Sequence, residues 1–226
     1  MDLKIVSQSD VSKFPNLIIL SNDKTEWSKY PELVTPAVSQ LIKDKLTEKV
    51  NPFVLHSGKE TLFVAYIEEK KEKWQEKESA RKLAYQIIKS CNAQKIFELG
   101  FINTTEDSEL AYAFVEGLAL SAYRFDKYFT QKKVKDFSGI QKITVEKNTL
   151  SKENLDEIKI LTEAVFMARN WVNEPANILT AQRLADELKK AAVSSGATAE
   201  IFDKKKIESL KMGGLLAVNS GSLDPP

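Results

Sequence analysis

The chain has 226 residues, of which 42% are hydrophobic and 29% charged, so it can form one large soluble domain or two modest ones. Its formal net charge of +1 supplies no overall field to attract nucleic acid or an anionic membrane. A single cysteine excludes an internal disulfide framework and fits a reducing, cytoplasmic compartment, and no apolar run approaches the roughly 18 residues that span a membrane.

The first 150 residues alternate short runs rich in branched apolar residues, typical of strands, with longer runs whose apolar residues recur at helical spacing. In chain order they predict strands at 3–6 and 16–20, a helix at 31–46, strands at 52–58 and 61–67, a helix at 68–90, a strand at 95–101, a helix at 108–125 and a strand at 140–146. Because strands and helices are interleaved, the predicted fold class is α/β, with helices flanking a sheet. Some strands follow each other without a helix, so at least one pair is a hairpin and the sheet is mixed.

Two of the predicted helices differ sharply in composition. The first half of 68–90 is nearly all charge, which predicts a solvated surface rather than a partner-binding site. The helix at 108–125 is apolar almost all round, which predicts heavy burial between the sheet and another layer or subunit. Cys91 ends an apolar helical pattern, and no histidine lies near it in sequence to activate it, so it is predicted to be a buried structural thiol.

The pattern changes from Ser151, a residue type that caps helices. Apolar residues follow it at helical spacing for over twenty residues, which predicts a long helix that links two domains. Pro175 ends this helix, Thr180 caps the next, and Gly196 ends that one. Beyond Gly196 the sequence predicts a strand at 198–203, a short helix at 204–211 and a strand at 213–220.

These last elements predict the start of a second α/β domain, which about fifty residues are too few to complete. The predicted organisation is an N-terminal α/β domain at 1–150, a linking helix at 151–172 and an incomplete domain at 173–226. Pro225 and Pro226 indicate a connector, because proline cannot donate to a sheet ladder, so we expect this chain to be the front part of a longer protein. The two predicted strands would then lack sheet partners, and should pair with another chain or be poorly ordered.

Few residues could carry catalysis. The only histidine, His56, ends a predicted strand and is expected to be a surface or hydrogen-bonded residue. The sequence has no His-Glu-x-x-His zinc helix, no paired cysteines, no calcium loop and no glycine-rich nucleotide loop. Glu106, Asp107 and Glu109 lie at the start of a predicted helix, where carboxylates are better explained as helix caps than as metal ligands.

Three blocks of the sequence keep a distinctive order and spacing. They are ARNWVNEPANILTAQRLADELKKAA at 168–192, EGLALSAYRFDKY at 116–128 and MGGLLAVNSGSLDPP at 212–226. The first resembles the opening of the catalytic domain of the leucyl (cytosol) aminopeptidase family, with Ala-Arg, Pro-Ala-Asn, Thr and Leu-Ala in the family's order. The second resembles that family's Gly-x-x-Leu-x-x-Tyr-x-Phe-Asp helix end, and the third its Met-Gly-x-x-Leu-x-Val-x-x-Gly-Ser-x-x-Pro-Pro segment. The first hundred residues match the family only in general layout.

The resemblance implies a macro-domain-like N-terminal fold and peptide hydrolysis by the full-length protein. The family holds two divalent metal ions, zinc or manganese, on Gly-Lys-Gly-x-x-Phe-Asp and Asn-Thr-Asp-Ala-Glu-Gly-Arg blocks beyond the Pro-Pro segment, and neither block occurs here. Asn103–Asp107 echoes the second block only superficially, because the Gly-Arg is missing. No catalytic, substrate-binding or metal residue is therefore assigned, no cofactor is expected in this chain, and the chain alone is predicted to be inactive.

The resemblance also implies partners. Family members form hexamers with their N-terminal domains at the outside, so the chain would serve assembly or active-site access. A stand-alone non-catalytic binding module is the alternative, since macro domains in other proteins bind ADP-ribose, although no phosphate loop supports this here. Some family members bind DNA, but the balanced charge disfavours it. The lysine groups are too short and isolated to predict a nucleic-acid surface; they are Lys132, Lys133, Lys135 and Lys204–Lys206.

Overall fold

Six strands and seven α-helices make up the part of the chain that the computed structural model describes, residues 3–31, 34–58, 60–130 and 139–222. The strands are β1 (Lys4–Gln8), β2 (Asn16–Asn22), β3 (Phe53–Ser57), β4 (Glu60–Ile67), β5 (Glu98–Asn103) and β6 (Lys142–Glu146). The helices are α1 (Pro36–Thr47), α2 (Lys73–Gln94), α3 (Ser108–Ser121), α4 (Lys152–Asn173), α5 (Ala181–Ser194), α6 (Lys204–Ser209) and α7 (Gly213–Asn219). The order predicted for the first 150 residues is confirmed. Lys132, Lys133, Lys135 and the Pro225–Pro226 connector lie outside the described residues.

Two helices begin later than their sequence patterns predict. α1 begins at Pro36 rather than at residue 31, because Thr35 Oγ1 accepts a hydrogen bond from the Val38 N–H at 3.3 Å and proline suits the first turn. α2 begins at Lys73 rather than at residue 68. The buried stripe of α2 starts only at Glu76, so the charged residues before the helix have no apolar face to cover.

The six strands form one mixed sheet in the order β1-β6-β5-β2-β4-β3. β3 and β4 pair antiparallel and form the expected hairpin, whereas all the other neighbouring pairs are parallel. Parallel strands need crossover connections, which α2 supplies between β4 and β5, on either side of β2, and α3 supplies between the neighbours β5 and β6. The carboxyl ends of β2, β4 and β5 therefore lie side by side at one edge of the sheet.

Helices cover both faces of the sheet, as the strand β2 illustrates. Its alternating side chains divide between two cores: Ile18 and Leu20 belong to the large core built with α2 and α3, and Ile19 belongs to a smaller core. Ile42 of α1 lies in that smaller core. The prediction that helices flank the sheet is therefore confirmed.

α2 and α3 approach each other closely on the larger face. A methyl group at Gly117 would lie 2.8 Å from the Cα atom of Arg81, so only glycine fits this helix crossing. Beside it the Arg81 guanidinium binds the Glu116 carboxylate at 2.6 Å. The nine buried residues of α3 confirm the burial predicted from its composition.

The only cysteine lies in the large core. Cys91 is fully buried on α2, and burial raises the pKa of its thiol to about 12. The thiol therefore stays protonated at neutral pH and is unreactive. The predicted structural role of Cys91 is confirmed.

The chain divides into two compact units, residues 1–166 and 167–226, with the division inside α4. The expected N-caps are present: Ser151 Oγ accepts from the Asn154 N–H at 3.1 Å before α4, and Thr180 Oγ1 accepts from the Arg183 N–H at 3.4 Å before α5. Gly196 follows α5 with a positive φ of 77°. Within the described ranges, no helix combines the length and the apolarity that a membrane span requires.

Two strand predictions in the second unit are wrong. Residues 198–203 have no regular secondary structure, and the segment predicted as a strand at 213–220 forms α7. A strand needs neighbours to satisfy its N–H and C=O groups, and residues 167–222 contain no strand that could pair with it. A helix satisfies the same groups within its own segment, which is why the apolar run that follows the two glycines forms a helix instead.

Candidate functional site

A cleft of about 700 Å³ opens at the carboxyl edge of the sheet, where β2, β4 and β5 end. Open α/β sheets bind ligands at this edge, because the loops that leave parallel strands converge there. The cleft wall is formed by residues that follow β2 and β4 and by the first turns of α2 and α3. This position makes the cleft a candidate functional site among the described residues.

A cluster of three charged side chains occupies one wall of the cleft. Lys73 Nζ forms an ion pair with Asp107 and lies 3.0 Å from Glu76 Oε2. The other Glu76 oxygen accepts the Lys70 N–H at 3.0 Å. Asp107 also caps α3, since its Oδ1 accepts the backbone N–H groups of the second and third residues that follow it, at 2.9 Å and 3.1 Å. The cluster thus ties the start of α2 to the start of α3.

The pKa values of these three groups move away from neutrality. Burial acts to raise the pKa of Asp107, but the hydrogen bonds from Lys73 and from the backbone of α3 outweigh it and hold the pKa below its ordinary value. The Lys70 N–H lowers the pKa of Glu76 in spite of burial. Burial acts to lower the pKa of Lys73, but its two carboxylate partners raise it above its ordinary value. A general acid or base needs a pKa near the working pH, so this cluster clamps two helices rather than transferring protons.

A hydrogen-bonded pair, Tyr66 and Asp23, lies at the rim of the cleft. The Tyr66 hydroxyl donates to Asp23 on the cleft wall. Burial and this hydrogen bond raise the pKa of Tyr66 above its ordinary value. The phenol therefore stays neutral, and it orients Asp23 instead of acting as a nucleophile.

The candidate residues named from the sequence lie in ordinary structural positions. His56 is exposed at the end of the edge strand β3, with its Nδ1 3.4 Å from the Thr61 hydroxyl, as expected of a hydrogen-bonded surface histidine. Asp107 caps α3, so the capping interpretation is confirmed for it. Glu106 and Glu109 form ion pairs with neighbouring lysines at 3.4 Å and 2.9 Å.

Sequence reasoning missed the part that Glu76 plays in the cleft. The charge run at 68–78 was predicted to be solvated, yet Glu76 is only 8% exposed. Its position carried a signal, because Glu76 lies one turn before Ala80 and two before Leu83 and Ala84 on the buried stripe of α2. A carboxylate on an apolar stripe indicates a partnered group.

The described residues do not fit a metal centre. Among residues 3–31, 34–58, 60–130 and 139–222 there is no group of three or more His, Cys, Asp or Glu side chains that could hold an ion. A two-metal hydrolytic site needs several carboxylates converging on ions about 3.5–4 Å apart. No step of hydrolysis is therefore assigned to residues of this chain.

Asp107 offers a test that separates helix capping from ion pairing. Asp107→Ala removes both and should lower the free energy of unfolding by about 1–2 kcal/mol at pH 7. Asp107→Asn keeps a capping oxygen and should cost under about 1 kcal/mol, as should Lys73→Met, which leaves the cap intact. Urea unfolding measures all three variants. Equal losses of unfolding free energy for Asp107→Ala and Asp107→Asn would refute the role of Asp107 as a helix cap.

The same variants predict a pH dependence with a definite sign. The folded-state pKa values of Asp107 and Glu76 are lowered, so their stabilisation is present above their ordinary pKa of about 4 and is lost as the pH falls through the folded values. The stability gap between the parent chain and Asp107→Asn should therefore shrink between about pH 5 and pH 2. A gap that stays constant over this range would contradict the ion pair.

Two family models match the chain. The model of the cytosol aminopeptidase family N-terminal domain matches residues 69–132, and that of the same family's catalytic domain matches residues 166–226. Together these ranges take in more than half of the chain and overlap all three blocks found in the sequence. The matches define a peptide-hydrolase class of protein, the aminopeptidases.

Curated relatives agree. The probable cytosol aminopeptidase of Sulfurihydrogenibium sp. (strain YO3AOP1) is 33% identical over 214 residues, which are 89% of this chain and 42% of that protein. The probable cytosol aminopeptidase of Clostridium perfringens (strain 13 / Type A) is 41% identical over 118 residues, 50% of this chain and 24% of that protein. The chain belongs to the cytosol aminopeptidase family and corresponds to its N-terminal part. It spans less than half the length of these relatives.

Solved structures show the same fold. A mutant of tomato leucine aminopeptidase superposes with a TM-score of 0.77 at 16% identity and covers 100% of this chain and 49% of its own. The bottromycin maturation enzyme BotP in complex with Mn has a TM-score of 0.68 at 18% identity and covers 93% of this chain and 43% of its own. The mixed α/β fold class is confirmed, and so is the resemblance to this family.

Proposed function

We propose that this chain is the N-terminal part of a metal-dependent leucyl aminopeptidase that removes N-terminal amino acids from peptides in the cytoplasm. One observation carries the proposal: the catalytic-domain model matches a stretch in which, among the described residues from 167 to 222, only Ile207 is buried. Such a stretch is a part of a catalytic domain and not a complete one, because a domain needs its own core.

The chain itself contributes structure rather than chemistry. The cleft at the carboxyl edge of the sheet carries paired charged groups whose pKa values move away from neutrality, and the only thiol of the chain is buried and protonated. The parent would hold two divalent ions, zinc or manganese, on residues outside this chain; the neighbour BotP is in complex with Mn. We therefore assign residues 1–150 to an N-terminal domain for assembly or active-site access, 151–172 to a linking helix and 173–226 to the start of the catalytic domain. Hexamer formation belongs to the same proposal.

A stand-alone binding module is the second candidate. The cleft supports it, since about 700 Å³ lies within the usual range for small-molecule sites and the carboxyl edge of the sheet is where such sites form. The pairing of its charges speaks against it: Lys73 faces Asp107 and Glu76, and Lys70 Nζ lies 2.7 Å from Glu68. An anionic ligand would have to break these pairs, so the aminopeptidase assignment is favoured.

A chimera tests the proposed function directly. In this chimera, residues 1–226 are joined to the part of the Sulfurihydrogenibium relative that lies beyond the matched segment. The chimera should hydrolyse leucine p-nitroanilide when Mn²⁺ or Zn²⁺ is added, and a chelator should abolish the activity, because binding and both metal sites are then present in one chain.

The control is the relative's C-terminal part expressed alone, which should show much less activity. A chimera whose circular dichroism shows a folded α/β protein, but which has no metal-dependent turnover, would refute the proposed function.

A further inference from the structure

Exposed apolar side chains are concentrated in one part of the molecule. Of the nineteen large hydrophobic residues that are exposed among the described residues, ten lie between Met167 and Val218. That stretch is about a quarter of the chain. Scattered exposed apolar residues are normal on a soluble surface, but a concentration of this kind marks an interaction surface.

α5 carries the clearest apolar face. Leu184, Leu188 and Ala192 follow each other at intervals of four residues and so lie on one side of the helix, while lysines and acids occupy the opposite side. No residue of α5 is buried, and Leu188 is 49% exposed. A helix of fourteen residues draws most of its stability from the packing of such a face, so the face of α5 lacks its partner.

α7 repeats the pattern. Leu215 and Val218 are three residues apart on one side of this helix, and they are 51% and 86% exposed. α6, which packs against α7, supplies the only buried residue of the described part of this unit, Ile207. The two apolar faces together lack the charges that a polar partner would require.

We infer that the apolar faces of α5 and α7 are the docking surface for the remaining part of a cytosol aminopeptidase catalytic domain, and that this part binds even when it is a separate polypeptide. The inference rests on the proposed function. The occupant follows from the catalytic-domain match at 166–226 and from the 42% of the Sulfurihydrogenibium relative that this chain spans. Surfaces that belong to a divided core are aliphatic and associate strongly, as obligate interfaces do.

The test mixes the full 226-residue chain with the separately expressed part of the Sulfurihydrogenibium relative that follows the matched segment. Sedimentation velocity should show a one-to-one complex, and amide hydrogen exchange should slow at least tenfold in α5 and α7 on mixing. The double variant Leu188→Glu/Val218→Glu should weaken the complex at least tenfold, because it places two charges in the contact.

A matched control uses an equally exposed residue outside the surface. Tyr85, on α2, is 57% exposed, and Tyr85→Glu should leave the complex unchanged. Glutamate is a good helix former, so none of these variants should unfold its helix.

Three outcomes would overturn the inference. They are the absence of a complex, a complex that the double variant binds as well as the parent chain does, and protection of α5 and α7 by self-association of the chain alone, which would make a second copy the occupant. A one-to-one complex that needs Leu188 and Val218 but has no metal-dependent peptidase activity upholds the docking surface and refutes the proposed function. The two failures are therefore distinguishable.

Discussion

The purified 226-residue chain should release p-nitroaniline from leucine p-nitroanilide no faster than buffer that contains the same Mn²⁺ or Zn²⁺. A two-metal mechanism needs converging carboxylates, and the described residues offer no group of three or more metal-ligating side chains. The peptidase activity should be absent rather than reduced, because enzymes accelerate their reactions by at least about a millionfold over the uncatalysed rate.

The chimera with the relative's C-terminal part is the positive control for this assay, at equal molar concentration. Activity must also elute with the chain on size exclusion before it is assigned to the chain and not to a host peptidase. Chelator-sensitive turnover that passes this criterion would contradict the expected result, and it would mean that the chain supplies metal ligands of its own.

Replacing Phe114 should have the largest effect on stability. The ring is fully buried on α3 and stacks on Phe101 of β5 with ring centroids 5.2 Å apart, so it joins the helix layer to the sheet. Phe114→Ala should lower the free energy of unfolding by about 3–5 kcal/mol, through lost burial and the cavity that remains. Domains have about 5–15 kcal/mol in total, so a large share of the stability would be lost.

Hydrogen exchange of the β2 and β5 amides measures this loss where it acts. Phe114→Leu keeps more of the side-chain volume and should cost less, so it remains informative if the alanine variant does not fold. Tyr85→Ala, an exposed aromatic on α2, should change stability by less than about 0.5 kcal/mol. Slow amide exchange that is unchanged in Phe114→Ala would contradict the packing described above.

The order of strands and helices in the first unit was predictable, because each element buries its own face in a compact core. The strand β2 alternates side chains between two layers, and α3 is apolar enough to be covered on most sides. Caps such as Thr180 were predictable because a cap is a local structure: the hydroxyl accepts a hydrogen bond from the backbone N–H three residues further along the chain.

The strands predicted at 198–203 and 213–220 failed because a strand is not a local structure. Its backbone groups need a neighbouring strand, and the described residues of the second unit contain none. Apolar runs such as the one at 215–218 are compatible with a strand or a helix, and only the available partners decide between them.

The candidate site also could not be predicted from local sequence patterns. Asp107 was predicted as a helix cap from its position, but its ion pair with Lys73 joins residues that are 34 positions apart. That pair forms because β4 and β5 both end beside β2, which brings the starts of α2 and α3 together.

The amino-acid sequence by itself determined the α/β class, the element order of the first unit, the buried thiol and the family. These depend on spacing along the chain, on helix caps and on motifs, all of which are local. Only the tertiary structure decided the strand order, the charge cluster at the carboxyl edge and the helical form of residues 213–219. Each of these depends on which distant segments are present to share hydrogen bonds, charges and apolar contacts.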